Sequence, residues 1–395
     1  MLPAWLSFII IIGIVMALSK YELGIVLTLG ALGFAILAGV DFLQSLINVL
    51  TDPSILALIV IMILIPILGG IMEESGLMME MIQKMRISKK SSLMMIPALF
   101  GLLPVPGGAL MSAPIVQQID SEEDANIKVS INVWYRHMLI MVYPLSSALI
   151  IASKLTNINL YILVLGLVPS LIVMWLIGYV ILVRNVTPFA EQGDRDLKRA
   201  FRNLLPILIA PVLDFIGRTF FNFSVPELFL LLGLIFSIWP ALKFGKMKLS
   251  SIKMISKKMR IWRFPLIMFS MFIFLEVFVL SGAPDEIASV DLSVFLLILI
   301  GFFLGVGTGR IQLPISIIIP IYLAQFTVLT MPLLDFIFIY TSIFIGYLIT
   351  PLHPCVAYST EYFETGFIKA AKILGKPVLI SFILLLGLYA VFLVI

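Results

Sequence analysis

Apolar runs of membrane-crossing length recur along this chain from end to end, beginning with LPAWLSFIIIIGIVMAL over residues 2–18. In lipid a backbone N–H or C=O without a partner is costly, so each run is expected to be a helix that satisfies its own hydrogen bonds. Composition agrees: 61% of the residues are hydrophobic, 12% are charged and the mean hydropathy is +1.16. These values place the chain among all-α polytopic membrane proteins. The first run lacks a basic leading segment and a small-residue cleavage site. It is expected to be a retained span rather than a signal peptide, with the mature chain starting near Met1.

Ten helical spans are predicted, near 3–18, 22–40, 55–72, 130–152, 158–183, 204–219, 226–243, 264–281, 332–353 and 370–394. A hydrocarbon core of ~30 Å requires about 20 residues at 1.5 Å rise, so the runs near 3 and 204 must borrow flanking residues. Two more apolar regions, 92–117 and 293–323, are interrupted at their middles by glycine or proline. The distribution of basic residues suggests what they do. If both regions return to the side they enter from and both termini lie outside, all of the 26 Lys and Arg except Lys154, Arg218 and Arg310 fall in cytoplasmic loops. A full crossing by either region would spoil that asymmetry. Both are therefore predicted to be re-entrant hairpins in a protein of the cytoplasmic membrane. The basic stretch KMRISKK suits an anchor to anionic lipid rather than a nucleic-acid site.

This layout contains a repeat. Three spans, a hairpin and two spans occupy 1–185; a linker covers 186–203; the same order returns over 204–395. Five crossings per copy invert the second copy relative to the first, the plan of many secondary transporters. Within the first hairpin, LLPVPGGALMSAP places Pro104 and Pro106 where an arm must stop and Gly107 and Gly108 where it must reverse, with Ser112 in the returning arm. The second hairpin offers Gly305, Gly307, Thr308, Gly309, Arg310 and Gln312. Spans 4 and 9 are predicted to break at Tyr143-Pro144-Leu145-Ser146-Ser147 and Thr350-Pro351-Leu352-His353-Pro354. Irregular backbone at membrane depth is tolerated where it lines a polar cavity, so four paired breaks point to a site.

Two opposed hairpins, each followed by a broken span, resemble the ion transporter superfamily, which includes divalent-anion/sodium symporters, gluconate and citrate permeases and sodium/proton antiporters. LLPVPGGALMSAP together with TPLHPCVAYSTEYF resembles a prokaryotic family of that superfamily catalogued as a domain of unknown function. The Ser-Asn-Thr signature of the dicarboxylate symporters is absent from the hairpin tips, where Pro-Gly-Gly and Gly-Thr-Gly stand instead, so their ligand residues do not carry over. The resemblance implies a homodimer in which spans 1–3 and 6–8 form a scaffold, while the hairpins and spans 4, 5, 9 and 10 form a moving transport domain.

The expected function is secondary active transport of a small organic anion, a carboxylate, by an elevator-type symport mechanism driven by a sodium or proton gradient. Candidate substrate-binding residues are Gly107, Gly108, Ser112, Ser146, Ser147, Thr308, Gly309, Arg310, Gln312, Thr350 and His353. Arg310 offers a planar guanidinium for bidentate carboxylate binding, or else is solvated outside. His353 offers a hydrogen bond or an exchangeable proton, or else lies at the cytoplasmic edge. Pro106, Tyr143, Gly307, Glu276 and Asp214 are the candidates for ion coupling, although Asp214 and Arg218, four apart, also suit a local structural pair. Trp134, Tyr135 and His137 are expected at the interface. One cysteine, Cys355, excludes a disulfide framework, and no Cys/His/carboxylate spacing in the sequence suggests a metal site. No cofactor or nucleic acid is implied beyond the coupling ion. The runner-up is a sodium/proton antiporter; a passive channel or an intramembrane enzyme fits less well, and no ATP-binding loop occurs.

Overall fold

The computed structural model describes residues 2–18, 21–85, 88–102, 108–119, 123–186, 196–221, 223–290 and 292–394. Among these residues the regular structure is entirely helical. In chain order the helices are α1 (Ala4–Ala17), α2 (Leu23–Ala38), α3 (Phe42–Thr51), α4 (Pro53–Glu74), α5 (Leu77–Met85), α6 (Lys89–Gly101), α7 (Gly108–Ile119), α8 (Ala125–Met138), α9 (Ser147–Thr156) and α10 (Leu160–Gly178). They continue with α11 (Leu197–Phe220), α12 (Glu227–Phe244), α13 (Ser251–Lys258), α14 (Arg263–Leu280), α15 (Ala283–Ala288), α16 (Val294–Thr308), α17 (Gln312–Gln325), α18 (Leu333–Ile349), α19 (Pro354–Tyr362) and α20 (Phe367–Val394). Among the described residues, with α8–α9 and α18–α19 each counted as a single broken element, eight helices are long and apolar enough to cross a membrane. Helices α1 and α2, the first two predicted spans, are shorter apolar helices.

Polar side chains fix many helix starts. The Asp52 carboxylate accepts from the amides of Ser54 (2.8 Å) and Ile55 (3.2 Å), with Pro53 in the first turn. Asp124 does the same for Asn126 and Ile127, and Asp41 for Leu43 and Gln44. Each cap satisfies amides that the helix cannot, for about 1 kcal/mol.

The chain forms two compact units, and the division runs across the two sequence halves. Unit 1 draws on Met1–Ile87 and Ala190–Ser281, which carry α1–α5 and α11–α14. Its core includes Phe8, Phe34, Phe274 and Phe278, with the Phe8 and Phe278 rings 4.5 Å apart. Gly24 and Ser270 bring α2 and α14 together: the Ser270 hydroxyl donates to the Gly24 carbonyl at 2.7 Å, and a Cβ on Gly24 would meet Leu266. At the same end of the pair, Arg263 binds Glu22 at 2.7 Å. Lys258 of α13 pairs with Glu74 at the end of α4.

Unit 2 draws on Ser88–Leu102, Gly107–Phe189 and Gly282–Ile395, which carry α6–α10 and α15–α20. Small residues let its helices approach at backbone distance. A Cβ on Gly101 would collide with the Arg136 carbonyl, one on Gly305 with the Ile343 carbonyl, and one on Gly346 with the Phe302 carbonyl. Helices α6 and α7 pack together, as do α16 and α17. Between α16 and α17 the chain turns at Gly309, whose φ of +61° suits a residue without a Cβ.

Candidate functional site

Proline chemistry sets the two breaks of unit 2. Helix α8 passes through a 3₁₀ turn at Leu139–Val142, after which Tyr143, the residue before Pro144, is extended (φ −87°, ψ 119°) and α9 starts at Ser147. Thr350, before Pro351, is likewise extended (ψ 141°), as is His353 before Pro354 (ψ 115°), and Pro354 opens α19. A proline ring disfavours helical ψ at its predecessor, and its missing N–H costs nothing in a first turn. Backbone polar groups are thereby released inside the unit.

The start of α17 and the turn before it meet these breaks. The Nε2 of Gln312, in the first turn of α17, donates to Ser147 Oγ at 2.8 Å. Gly309 abuts the other break, since a Cβ added there would lie 2.8 Å from Leu352 Cβ and 3.0 Å from its carbonyl carbon. Thr308 is buried and donates to the Leu304 carbonyl, while the Arg310 amide approaches its Oγ1 at 3.4 Å. In α7, Ser112 donates to Asn132 Oδ1 at 2.6 Å, and Asn132 Nδ2 donates to Ser359 Oγ at 2.9 Å, so that α7, α8 and α19 share one fully buried polar chain.

The most concentrated chemistry surrounds His353. Its Nε2 lies 2.8 Å from the Tyr347 hydroxyl, and its ring centroid is 4.4 Å from that of His137. His137 places Nδ1 2.6 Å from the Val133 carbonyl; that nitrogen is the donor, which leaves Nε2 to face elsewhere. Cys355 joins the group: its sulfur and one ring nitrogen of each histidine all lie within 4.8 Å of one another. The Arg136 side chain approaches the Cys355 thiol, and the charges of Arg136 and Arg310 both act on the Tyr347 phenol. Arg136, His137 and His353 are each at least 95% buried.

Most predicted site residues that fall among the described ones thus lie on α7, on α16, α17 and the turn between them, and on the broken elements α8–α9 and α18–α19 of unit 2. Thr350 and Ser146 are buried at the breaks, Tyr143 is half-buried beside Pro144, and Gly307 continues α16. Gly108 opens α7. Pro106 and Gly107 lie outside the described residues. Asp214 and Glu276 belong to unit 1. There Arg218 Nε meets both carboxylate oxygens of Asp214 at 3.0 Å, and Asn48 Nδ2 donates to Glu276 at 2.7 Å.

Sequence reasoning missed Asn132, Arg136, Tyr347 and Ser359 as site residues. It set Trp134, Tyr135 and His137 at an interface, whereas all three are buried within unit 2. A run of aromatic residues followed by basic ones reads like an interfacial belt whether or not protein covers it. A possible signal was the pair of small residues opposite them, Gly101 and Gly178, against which Arg136 and Trp134 pack.

The class that eight such helices fit is an integral α-helical membrane protein. Within it, residues 2–395 match the family described as Protein of unknown function (DUF401), and the chain belongs to that family. No curated protein matches the chain.

Proposed function

We propose that the protein is a secondary active transporter for a small organic anion, driven by a proton or sodium gradient. The carrying observation is the gathering of Gln312, Ser147, Tyr347 and His353, with the Arg136 and Arg310 guanidiniums, around two proline-set breaks in one compact unit. Two guanidiniums in a low-dielectric setting favour a carboxylate, and the freed backbone groups supply further contacts.

The inverted-repeat topology of ten crossings and two re-entrant hairpins rests on the distribution of basic residues along the chain, since the short hairpin arms are matched in length by α1 and α2, of 14 and 16 residues. Helices α6, α7, α16 and α17 have 13, 12, 15 and 14 residues. At 1.5 Å per residue each extends roughly 18–23 Å, short of a ~30 Å core. With both hairpins returning, the N- and C-termini both lie outside the cytoplasmic membrane. The composition of the units supports an elevator mechanism in a homodimer: the elements of spans 1–3 and 6–8 make one compact unit, and the hairpins with spans 4, 5, 9 and 10 make the other.

The test is binding. In a screen of small mono-, di- and tricarboxylates against the purified protein, one class should raise the unfolding temperature in proportion to log concentration, and Arg310→Gln should reduce that shift. Stabilisation by none of them, or a shift unchanged in Arg310→Gln and Arg136→Gln, would refute the anion site.

A sodium/proton antiporter is the second reading, and the buried His137–His353 pair, with ring centroids 4.4 Å apart, is the titratable feature that it would use. The engagement of Asp214 by Arg218 and of Glu276 by Asn48 weighs against it, since these were its candidate carboxylates.

A further inference from the structure

We propose that His137, His353 and Cys355 form a binding site for one transition-metal ion of the zinc type. The three residues come from both halves of the chain, and one donor atom from each lies within 4.8 Å of the other two. Imidazole nitrogen and thiolate sulfur are the donors that zinc and its neighbours prefer, and three such protein ligands leave a fourth, open position.

The surroundings orient the ligands as such a site requires. Nδ1 of His137 is committed to the Val133 carbonyl, which leaves Nε2 as the ligating atom. Nε2 of His353 is committed to the Tyr347 hydroxyl, and its Nδ1 is buried with no hydrogen-bond partner; the Tyr347 and Leu348 carbonyls lie near the ring without meeting hydrogen-bond geometry. A buried ring nitrogen with no donor or acceptor costs free energy that a metal bond would offset. Hydrogen bonds to the far nitrogen of each imidazole are the usual means of fixing a ligand's tautomer. The Arg136 side chain stands beside the Cys355 sulfur, which ligates as a thiolate. Binding is balanced simply: the sulfur–proton bond gives way to a sulfur–metal bond and the proton leaves to solvent. The ion, one thiolate and Arg136 together retain positive charge, which an anion in the open position would offset. The site stands on its ligand geometry and does not depend on the transport reading.

The experiment is a cobalt(II) titration of the full-length protein, purified in detergent without a polyhistidine tag, with zinc(II) competition by equilibrium dialysis. Because Cys355 is the chain's one cysteine, a thiolate-to-cobalt charge-transfer band in the wild-type protein identifies it without any variant. The expected result is one equivalent of cobalt, four-coordinate visible bands, the sulfur band, and displacement by zinc but not magnesium. His353→Gln should abolish the spectrum, and Tyr347→Phe, which keeps all three ligands, should weaken affinity about tenfold or more. Absence of the sulfur band in the wild type overturns the site, as does a band that is unaffected in both variants.

Discussion

Gln312 and Ser147, the first residues of α17 and α9, are joined by a 2.8 Å hydrogen bond between their side chains. That bond ties the turn at Gly309 to the break behind Pro144. Replacing Gln312 with Ala removes the donor while leaving both helices intact. Anion affinity should fall about five- to tenfold, corresponding to one hydrogen bond of about 1 kcal/mol, with little change in melting temperature. The split between affinity and stability is the check, read by ligand titration and thermal unfolding side by side.

Arg310 should act through shape as well as charge. Lysine keeps the charge but loses the planar fork, so Arg310→Lys should weaken binding and Arg310→Gln should weaken it further, both with normal assembly on size-exclusion chromatography. Equal affinity in the wild type and the lysine variant would reduce the arginine's role to that of a point charge.

Glycine contacts make a sharper stability forecast. A Cβ at Gly305 or Gly346 meets backbone carbonyls rather than a movable side chain. Gly305→Val and Gly346→Val should each destabilise by about 1–3 kcal/mol or more, whereas Gly387→Ala, with no atom near its would-be Cβ, should be close to neutral. Comparable melting temperatures across the three variants would contradict the packing of α16 on α18.

A pH-dependent contact lies in unit 1. Asn203 donates to Glu80 at 2.8 Å and Arg199 pairs with it; the hydrogen bond first and the guanidinium charge after it hold the Glu80 carboxyl below its ordinary value of 4.5. A lowered folded pKa means that the stabilisation is fully present above the ordinary value and is lost as pH falls through the folded one. The melting-temperature gap between wild type and Glu80→Gln should therefore be constant near neutrality, shrink below about pH 4.5 and vanish at lower pH. A gap that grows on acidification would contradict this.

Legibility in the sequence followed physical range. The long helices and the two breaks could be read directly, because apolar length and X-Pro sterics act within a few residues. Tyr143, Thr350 and His353 are extended for reasons written in the residue that follows each of them. Short α3, α5 and α13 escaped notice because none has the length or apolar continuity of a span. The Ser112–Asn132–Ser359 chain and the His137–His353–Cys355 cluster could not be read at all: their members lie on different helices, and only the packing of α7, α8 and α19 makes them neighbours. The same limit applies to Glu276, whose partner Asn48 lies on another helix, whereas the Asp214–Arg218 pair, four residues apart on α11, was legible from its spacing.

The central claim is gradient-driven anion transport, and the most direct measurement is uptake of radiolabelled carboxylates into proteoliposomes with sodium and proton gradients imposed one at a time. The predicted result is concentrative uptake of one carboxylate class under one of the two gradients, abolished when that gradient is collapsed and strongly reduced by Arg310→Gln. Sodium-dependent proton flux in liposomes free of any organic anion, unaffected by Arg310→Gln and without carboxylate uptake under either gradient, would contradict it.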